Sequence, residues 1–324
     1  LSKIMLVLFY ANGGEHIGLG HIYRCLCLAS YLDNYDIVFA SDDKKDLNIG
    51  HILVEEAGFV LHKIQGCNAL SSLKADILIV DSYEIEAEFL TYIKFFFKKL
   101  VIVDDEGALS FYDVDLIINP NPYAKNLSYK THKRTKTLFG TNLLRTEFQG
   151  LQKITINKEV KNIILSLGGS DDTNLSYLIA KNLEAYLYKL DIKLHIVIGK
   201  AFKYKKELLK LQNTHIICYE NAQMSKLMLA CDLGICGCGQ TSYELLSLGI
   251  PIITLILASN QQLPANFGLN QGYLVVATPK NIALELSKMS FQKRLKLRAS
   301  SEIYFRSVCL QDLITKSFYN ILYT

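Results

Sequence analysis

The sequence predicts an α/β protein built from two doubly wound halves. Two observations carry this. Short apolar runs of strand length alternate with stretches of helical periodicity along the whole chain. The pattern then restarts after a polar, irregular segment over 120–160, which contains Pro120, Pro122 and the charged runs YKTHKRTK and NKEVKN. A chain of 324 residues, half of them apolar, is long enough for two cores. The division is expected near 150, with 1–150 as the first domain and 151–324 as the second, a helical tail included. In such folds ligands sit at the carboxyl ends of the strands, and the two sets of ends are expected to face each other across a cleft.

Each element has its own signal. Lys3–Tyr10 is a near-continuous apolar run, as a strand covered on both faces requires. Ile22–Leu32 is periodic and helical, and Asp36–Ala40 is the second strand. A short helix at Ile52–Ala57 and a strand at Phe59–Lys63 follow. Asp76–Val80 is a strand ending in Asp81. Glu84–Lys98 is predicted as one helix, with Phe95, Phe96 and Phe97 packing inward. Leu100–Val103 ends in Asp104-Asp105-Glu106, and Leu116–Asn119 precedes the NPNPY turn. In the second half, strands are predicted at Asn162–Leu167, Lys193–Ile198, His215–Tyr219, Leu233–Cys236 and Pro251–Leu257. Helices are predicted at Leu175–Leu187, Tyr243–Leu248 and Leu263–Gly272, with a largely helical tail from Asn281.

Composition excludes several classes. The formal charge of +4 is too small to indicate nucleic acid, although a mild basic excess suits an anionic ligand. The longest apolar stretch, Leu248–Ala258, contains Pro251 and is too short to span a membrane. The apolar run near the N-terminus lacks a small-residue cleavage site and reads as a strand. The eight cysteines, Cys309 among them, mostly lie in apolar runs, as buried thiols of a reducing cytoplasm would. Cys236-Gly-Cys238 lacks zinc or redox spacing, so neither metal nor cofactor is expected. The absence of Trp removes a Trp-based sugar platform. A cytoplasmic monomer is expected.

The chemistry-bearing motifs sit at strand ends. The first is Gly18-Leu19-Gly20-His21-Ile22-Tyr23-Arg24, where a strand enters a helix. Tyr23 stands where a dinucleotide fingerprint needs its third glycine, although Asp42 lies where a ribose contact would fall, so a nicotinamide oxidoreductase stays an alternative. His21 lies in the first helical turn, where the positive end of the helix dipole favours a neutral, proton-accepting ring. A histidine that only caps or packs is the structural alternative. Asp81-Ser82-Tyr83 and Asp104-Asp105-Glu106 could bind hydroxyls or cap helices. Leu167-Gly168-Gly169-Ser170-Asp171-Asp172-Thr173-Asn174 has the form of a phosphate cradle but lacks the lysine of a P-loop. It could equally be a tight turn with a helix cap. Gly239-Gln240-Thr241-Ser242-Tyr243-Glu244 repeats the strand–glycine–helix form, and Glu244, a turn into its helix, could take a ribose diol. Asn260 and Gln261 place side-chain amides after another strand.

Taken together, IGLGHIYR, DSYE, VDDEG, NPNPYA, LSLGGSDDTNLS, GQTSYELLSLGIP and SNQQ, in this order over roughly Lys3–Gly272, resemble the UDP-sugar hydrolases of pseudaminic acid biosynthesis. The wider group includes spore-coat polysaccharide proteins. The resemblance implies a GT-B fold of two Rossmann-like domains, with UDP held by the second. It implies metal-independent release of UDP from UDP-2,4-diacetamido-2,4,6-trideoxy-β-L-altropyranose, and the expected course is water attack at C1 with inversion. It places the family's loop histidine on His21, its strand-end tyrosine on Tyr83 and its asparagine on Asn260. It places the UDP contacts on Gly169, Ser170, Thr241, Ser242 and Glu244; the strand-end motifs themselves add Gly18, Gly20, Asp81, Gly168, Gly239 and Gln261 to the expected substrate-binding set. Two departures stand out. Gly140–Phe148 is shorter than the family's G-x-x-Y-A-L-L-R-x-E-F and lacks its Tyr, and Ser82 follows Asp81 where His is frequent. A glycosyltransferase of the same fold, of the spore-coat polysaccharide type, a hydrolase of a related UDP-sugar and a non-catalytic nucleotide-sugar binding module are further alternatives.

Overall fold

The computed structural model describes residues 4–14, 17–148, 150–305 and 310–323; Cys309 lies outside them. The chain divides into two compact units, one of residues 1–143 with 308–324 and the other of 144–307.

The first unit is built on seven parallel strands among its described residues. They are β1 (Leu6–Ala11), β2 (Asp36–Asp42), β3 (Val60–Ile64), β4 (Ile77–Asp81), β5 (Lys99–Val103), β6 (Leu116–Asn119) and β7 (Lys136–Phe139), in the order β3-β2-β1-β4-β5-β6-β7. The order reverses direction at β1, which lies between β2 and β4, the switch point of a doubly wound sheet. The central strands β4, β5 and β6 are buried nearly throughout, because helices cover both faces. Helices α1 (Gly20–Ala29), α2 (Asn48–Glu56) and α3 (Ala87–Ile93) form the connections.

The predicted helix over Glu84–Lys98 is shorter in the structure. It ends at Ile93 and tightens into a 3₁₀ turn over Lys94–Phe96. That turn rotates the three phenylalanines apart. Phe97 is buried, but Phe95 is 86 % exposed and Phe96 45 %, so the expected inward packing holds for Phe97 alone. Strand β7 lies within the segment the sequence marks as irregular. Its charged neighbours hide a four-residue strand at the sheet edge, and polar residues are tolerated there.

The second unit has six parallel strands among its described residues. They are β8 (Asn162–Ser166), β9 (Lys193–Val197), β10 (Ile216–Tyr219), β11 (Leu233–Gly237), β12 (Ile252–Leu255) and β13 (Val275–Val276), in the order β10-β9-β8-β11-β12-β13. Helices α4 (Leu175–Leu190), α5 (Lys205–Leu209), α6 (Met224–Leu229), α7 (Gln240–Ser247), α8 (Gln262–Asn270), α9 (Ile282–Ser287) and α10 (Phe291–Ser301) complete it. Ile163, Leu165, Leu194, Ile196, Leu233 and Ile235 form the sheet side of a core closed by Ile179, Leu183 and Leu187 of α4.

The last helix, α11 (Leu310–Tyr323), corrects the expected partition of the chain. From sequence the tail is expected in the second domain, whereas α11 packs on the first unit. Gln311 Nε2 donates to the carbonyl oxygen of Tyr31 at 2.9 Å, and Phe318, fully buried, meets the ring of Tyr35. Amphipathic periodicity specifies a helix but not which apolar surface it covers. No helix among the described residues is long and apolar enough to cross a membrane.

Candidate functional site

In the first unit the chemistry gathers at the carboxyl ends of β1, β4 and β5, which are neighbours in the sheet. The turn after β1 brings the chain to Gly18, which adopts φ +76°, a conformation a glycine takes without the steric cost other residues meet. Its carbonyl accepts from Gly14 N–H at 2.9 Å, and Gly20 then opens α1. This places His21 in the first turn of α1, above the end of β4.

There His21 Nδ1 lies 2.6 Å from Asp81 Oδ1. Asp81 is fully buried. Arg24, one turn on from His21, donates from Nε to Asp81 Oδ2 at 2.8 Å and from Nη2 to Oδ1 at 2.6 Å. Burial alone would push the Asp81 carboxyl up, but the charges and hydrogen bonds of Arg24 and His21 hold it well below the usual carboxylate range. Asp81 is therefore an anion and can only accept. It follows that Nδ1 of a neutral His21 carries the proton and Nε2 has the free lone pair. Arg24 Nη2 also lies 3.3 Å from Nδ1, where it sits beside the ring as a charge, because a protonated Nδ1 cannot accept from it.

From sequence, Asp81 is expected in the substrate-binding set. The structure gives it another position: it is 0 % exposed, and its oxygens are occupied by His21, Arg24 and the thiol of Cys25. Tyr83, by contrast, is 44 % exposed, and its ring meets His21 edge-on at 4.6 Å between centroids. Ser82, Tyr83, Asp104 and Glu106 line one small depression beside these residues.

The Asp104-Asp105-Glu106 run separates into different roles. Asp104 Oδ1 accepts from the N–H groups of Glu106 and Gly107, and Oδ2 accepts from the hydroxyl of Tyr112 at 2.7 Å, so it organises its own loop. Asp105 accepts from Arg24 Nη1 at 2.7 Å. Burial and the charges of Asp105 and Asp104 push the Glu106 carboxyl up. Sequence reasoning missed Arg24 and Asp105 as members of this group. The available signal was the three-residue spacing of His21 and Arg24, which puts both on one helix face.

In the second unit the expected residues gather at the adjacent ends of β8, β11 and β12. Gly168, Gly169 and Ser170 lead from β8 toward α4. Asp171 caps α4, accepting from Leu175 and Ser176 N–H at 2.7 Å each, so the loop combines the turn-and-cap reading with open glycines. Gly199, after β9, packs directly on this loop. A Cβ there would lie 2.4 Å from Gly169 O and 2.6 Å from Gly168 O.

Gly239 and Thr241 are half-buried at the start of α7, while Ser242 is buried and donates its hydroxyl to Gly239 O at 2.6 Å. Glu244 is 1 % exposed, and Arg145 holds it bidentately, Nε to Oε1 at 2.6 Å and Nη2 to Oε2 at 2.8 Å. The open carboxylate expected for a ribose diol is thus a closed ion pair, with Arg145 its unforeseen partner. Gln261 is likewise internal in its bonding: Oε1 accepts from Cys238 N–H at 3.1 Å and Leu257 N–H at 3.0 Å, tying two loops together. Asn260 is exposed in the 3₁₀ turn Ser259–Gln261. Cys236 and Cys238 are buried, and burial pushes both thiols up, that of Cys238 to about 12. Such thiols are inert packing groups.

The two parallel-sheet units have the fold of the GT-B proteins. Acinetobacter baumannii MurG superposes with a TM-score of 0.65 at 13 % identity, over 96 % of this chain and 99 % of that one. Spinosyn forosaminyltransferase SpnP does so with a TM-score of 0.67 at 11 % identity, over 99 % and 100 %. In sequence the chain is similar to proteins named as UDP-2,4-diacetamido-2,4,6-trideoxy-β-L-altropyranose hydrolases. The Campylobacter jejuni protein of that name is 27 % identical, over 84 % of this chain and 98 % of its own. A Helicobacter pylori protein, named as pseudaminic acid cytidylyltransferase and the same hydrolase, is 26 % identical over 85 % of this chain and 49 % of its own. An uncharacterized protein of Methanocaldococcus jannaschii is 32 % identical over 78 % of this chain and 55 % of its own. The chain thus spans about half the length of these last two relatives. No family model matches it.

Proposed function

We propose that this protein hydrolyses a UDP-activated 2,4-diacetamido-trideoxy sugar, UDP-2,4-diacetamido-2,4,6-trideoxy-β-L-altropyranose, with His21 as general base. The observation that carries the reading is the hydrogen bond from His21 Nδ1–H to the buried, ionised Asp81, which leaves Nε2 as a directed proton acceptor. Water oxygen attacks the anomeric carbon while Nε2 takes its proton. The bond from C1 to the diphosphate oxygen breaks, UDP leaves with the electron pair, and the configuration inverts. UDP is a good leaving group, and amides of the Gly168–Ser170 and Gly239–Ser242 loops would stabilise its developing charge without a metal. Tyr83 and Asn260 are assigned to orienting sugar or water. Thr241, Ser170 and Gly169 are assigned to the nucleotide. Glu244 supports the nucleotide loop through its bond to Arg145, and reaches a ribose only if Arg145 releases it.

The test is UDP release from this sugar nucleotide with EDTA present and no acceptor, for wild type and His21→Asn. Wild type should release UDP and free sugar, and His21→Asn should lose about 10²–10⁴-fold in turnover while retaining UDP binding. A near-normal rate in the variant removes His21 from the chemistry. UDP binding without release, restored by an added acceptor, makes the protein a transferase.

A further inference from the structure

Arg24 poses a problem for the base. Its guanidinium is 3.3 Å from His21 Nδ1, and a cation so close opposes a second positive charge on the ring. Yet a general base must become positive when it takes the proton. Asp81 alone balances Arg24 and leaves nothing for an imidazolium. The structure supplies a second anion: Asp105, after β5, accepts from the far nitrogen of the same guanidinium at 2.7 Å, with 17 % of its side chain exposed. With His21 neutral, Arg24, Asp81 and Asp105 together carry one net negative charge, and with His21 protonated the group is neutral.

The geometry points to Asp105 as a positioning residue that acts through Arg24: it holds the guanidinium and offsets its charge, so that His21 can accept a proton beside it. This rests on the reading of His21 as the base. Asp105 sits 81 residues from Arg24 in the chain and touches neither His21 nor Asp81 by hydrogen bond among the described residues. Its effect is therefore electrostatic and relayed. The groups facing His21 are Asp81 from β4, Arg24 from α1, the Tyr83 ring after β4 and Glu106 after β5, with the Cys25 thiol behind Asp81. Of these only Asp81 and Glu106 can balance charge on the ring directly, and Glu106 is exposed to solvent screening.

Asp105→Asn keeps an oxygen acceptor for Arg24 and removes the charge. Nitrogen NMR of the His21 ring reads the ratio of charged to neutral imidazole at one fixed pH, with no substrate present. The ratio should fall about threefold or more in Asp105→Asn, the size expected when a nearby opposite charge is lost, and return in Asp105→Glu. Turnover at saturating sugar nucleotide should fall with it while KM changes little. Should Asp105→Asn fail to fold, Asp105→Ser takes its place in the same measurement. An unchanged ratio in a folded variant, or a loss of melting temperature with no change in ratio, overturns the assignment. The ring measurement needs no turnover, so a failed hydrolysis assay overturns the proposed reaction and leaves the result on Asp105 standing or falling by itself.

Discussion

At the scale of single residues, the decisive group is a carboxylate with no exposure. Asp81 fixes the tautomer of His21 and is itself fixed by Arg24. Asp81→Asn keeps the shape, but an amide can present either oxygen or N–H to Nδ1, so the ring is free to turn its lone pair inward. Turnover in that variant should fall by about 10²-fold or more, in the range general-base help supplies, with UDP affinity unchanged. The same substitution affects stability. A carboxyl held below its ordinary value contributes stability that is complete above the unfolded value, about pH 4, and that disappears as pH falls through the folded value. Thermal melts of Asp81→Asn should therefore depend less steeply on pH than wild type between about pH 5 and pH 2, where that contribution is lost. An equal slope in both proteins would mean that the Asp81 charge is not what Arg24 stabilises. His21 stood out in the sequence because a glycine turn and a helix start flank it. The role of Asp81 was not, because its partners are 60 and 57 residues away and only the adjacency of β1 and β4 brings them together.

At the scale of elements, the loops after β8 and β11 owe their shape to neighbours more than to their own residues. Gly199 is the sharpest case, since the loop after β9 approaches the Gly168–Gly169 carbonyls too closely for any side chain. Gly199→Ala must displace one loop or the other. The expected cost is about 1–3 kcal/mol of stability, seen in denaturant melts, together with weaker binding of UDP in calorimetry. Loss of stability with full UDP affinity would show that the displaced loop is not the nucleotide's. Most of the strands were legible in the sequence to within a few residues, because buried parallel strands are continuous apolar runs bounded by turns, whereas the short edge strands β7 and β13 were not. The 3₁₀ turn that throws Phe95 outward was not, because three successive phenylalanines satisfy a helical and a strand pattern equally well. The engagement of Glu244 by Arg145 was hidden for another reason. A carboxylate one turn into a helix is compatible with a ligand or with an ion pair, and 99 residues separate the partners.

At the scale of the whole molecule, the unit that holds His21 is assembled from two separated stretches of chain. Helix α11 closes it with Ile314, Phe318 and Ile321, all buried. Phe318→Ala should cost about 3–5 kcal/mol by leaving a cavity under that helix. Calorimetry should show the loss in one unit's transition while UDP binding, assigned to the other unit, is retained. Equal destabilisation of both transitions would show that the two units unfold as one. The sequence could not reveal this return, since nothing in the pattern of α11 distinguishes one apolar sheet face from another.

That return has a consequence for biosynthesis. The strands of the first unit emerge from the ribosome early, but the helix that completes its core emerges only after the whole of the second unit. At ordinary rates of translation the nascent first unit waits on the order of ten seconds with an uncovered apolar face, while the second unit is free to fold at once. The later part of the chain is thus positioned to mature first, and the half bearing the histidine is finished last.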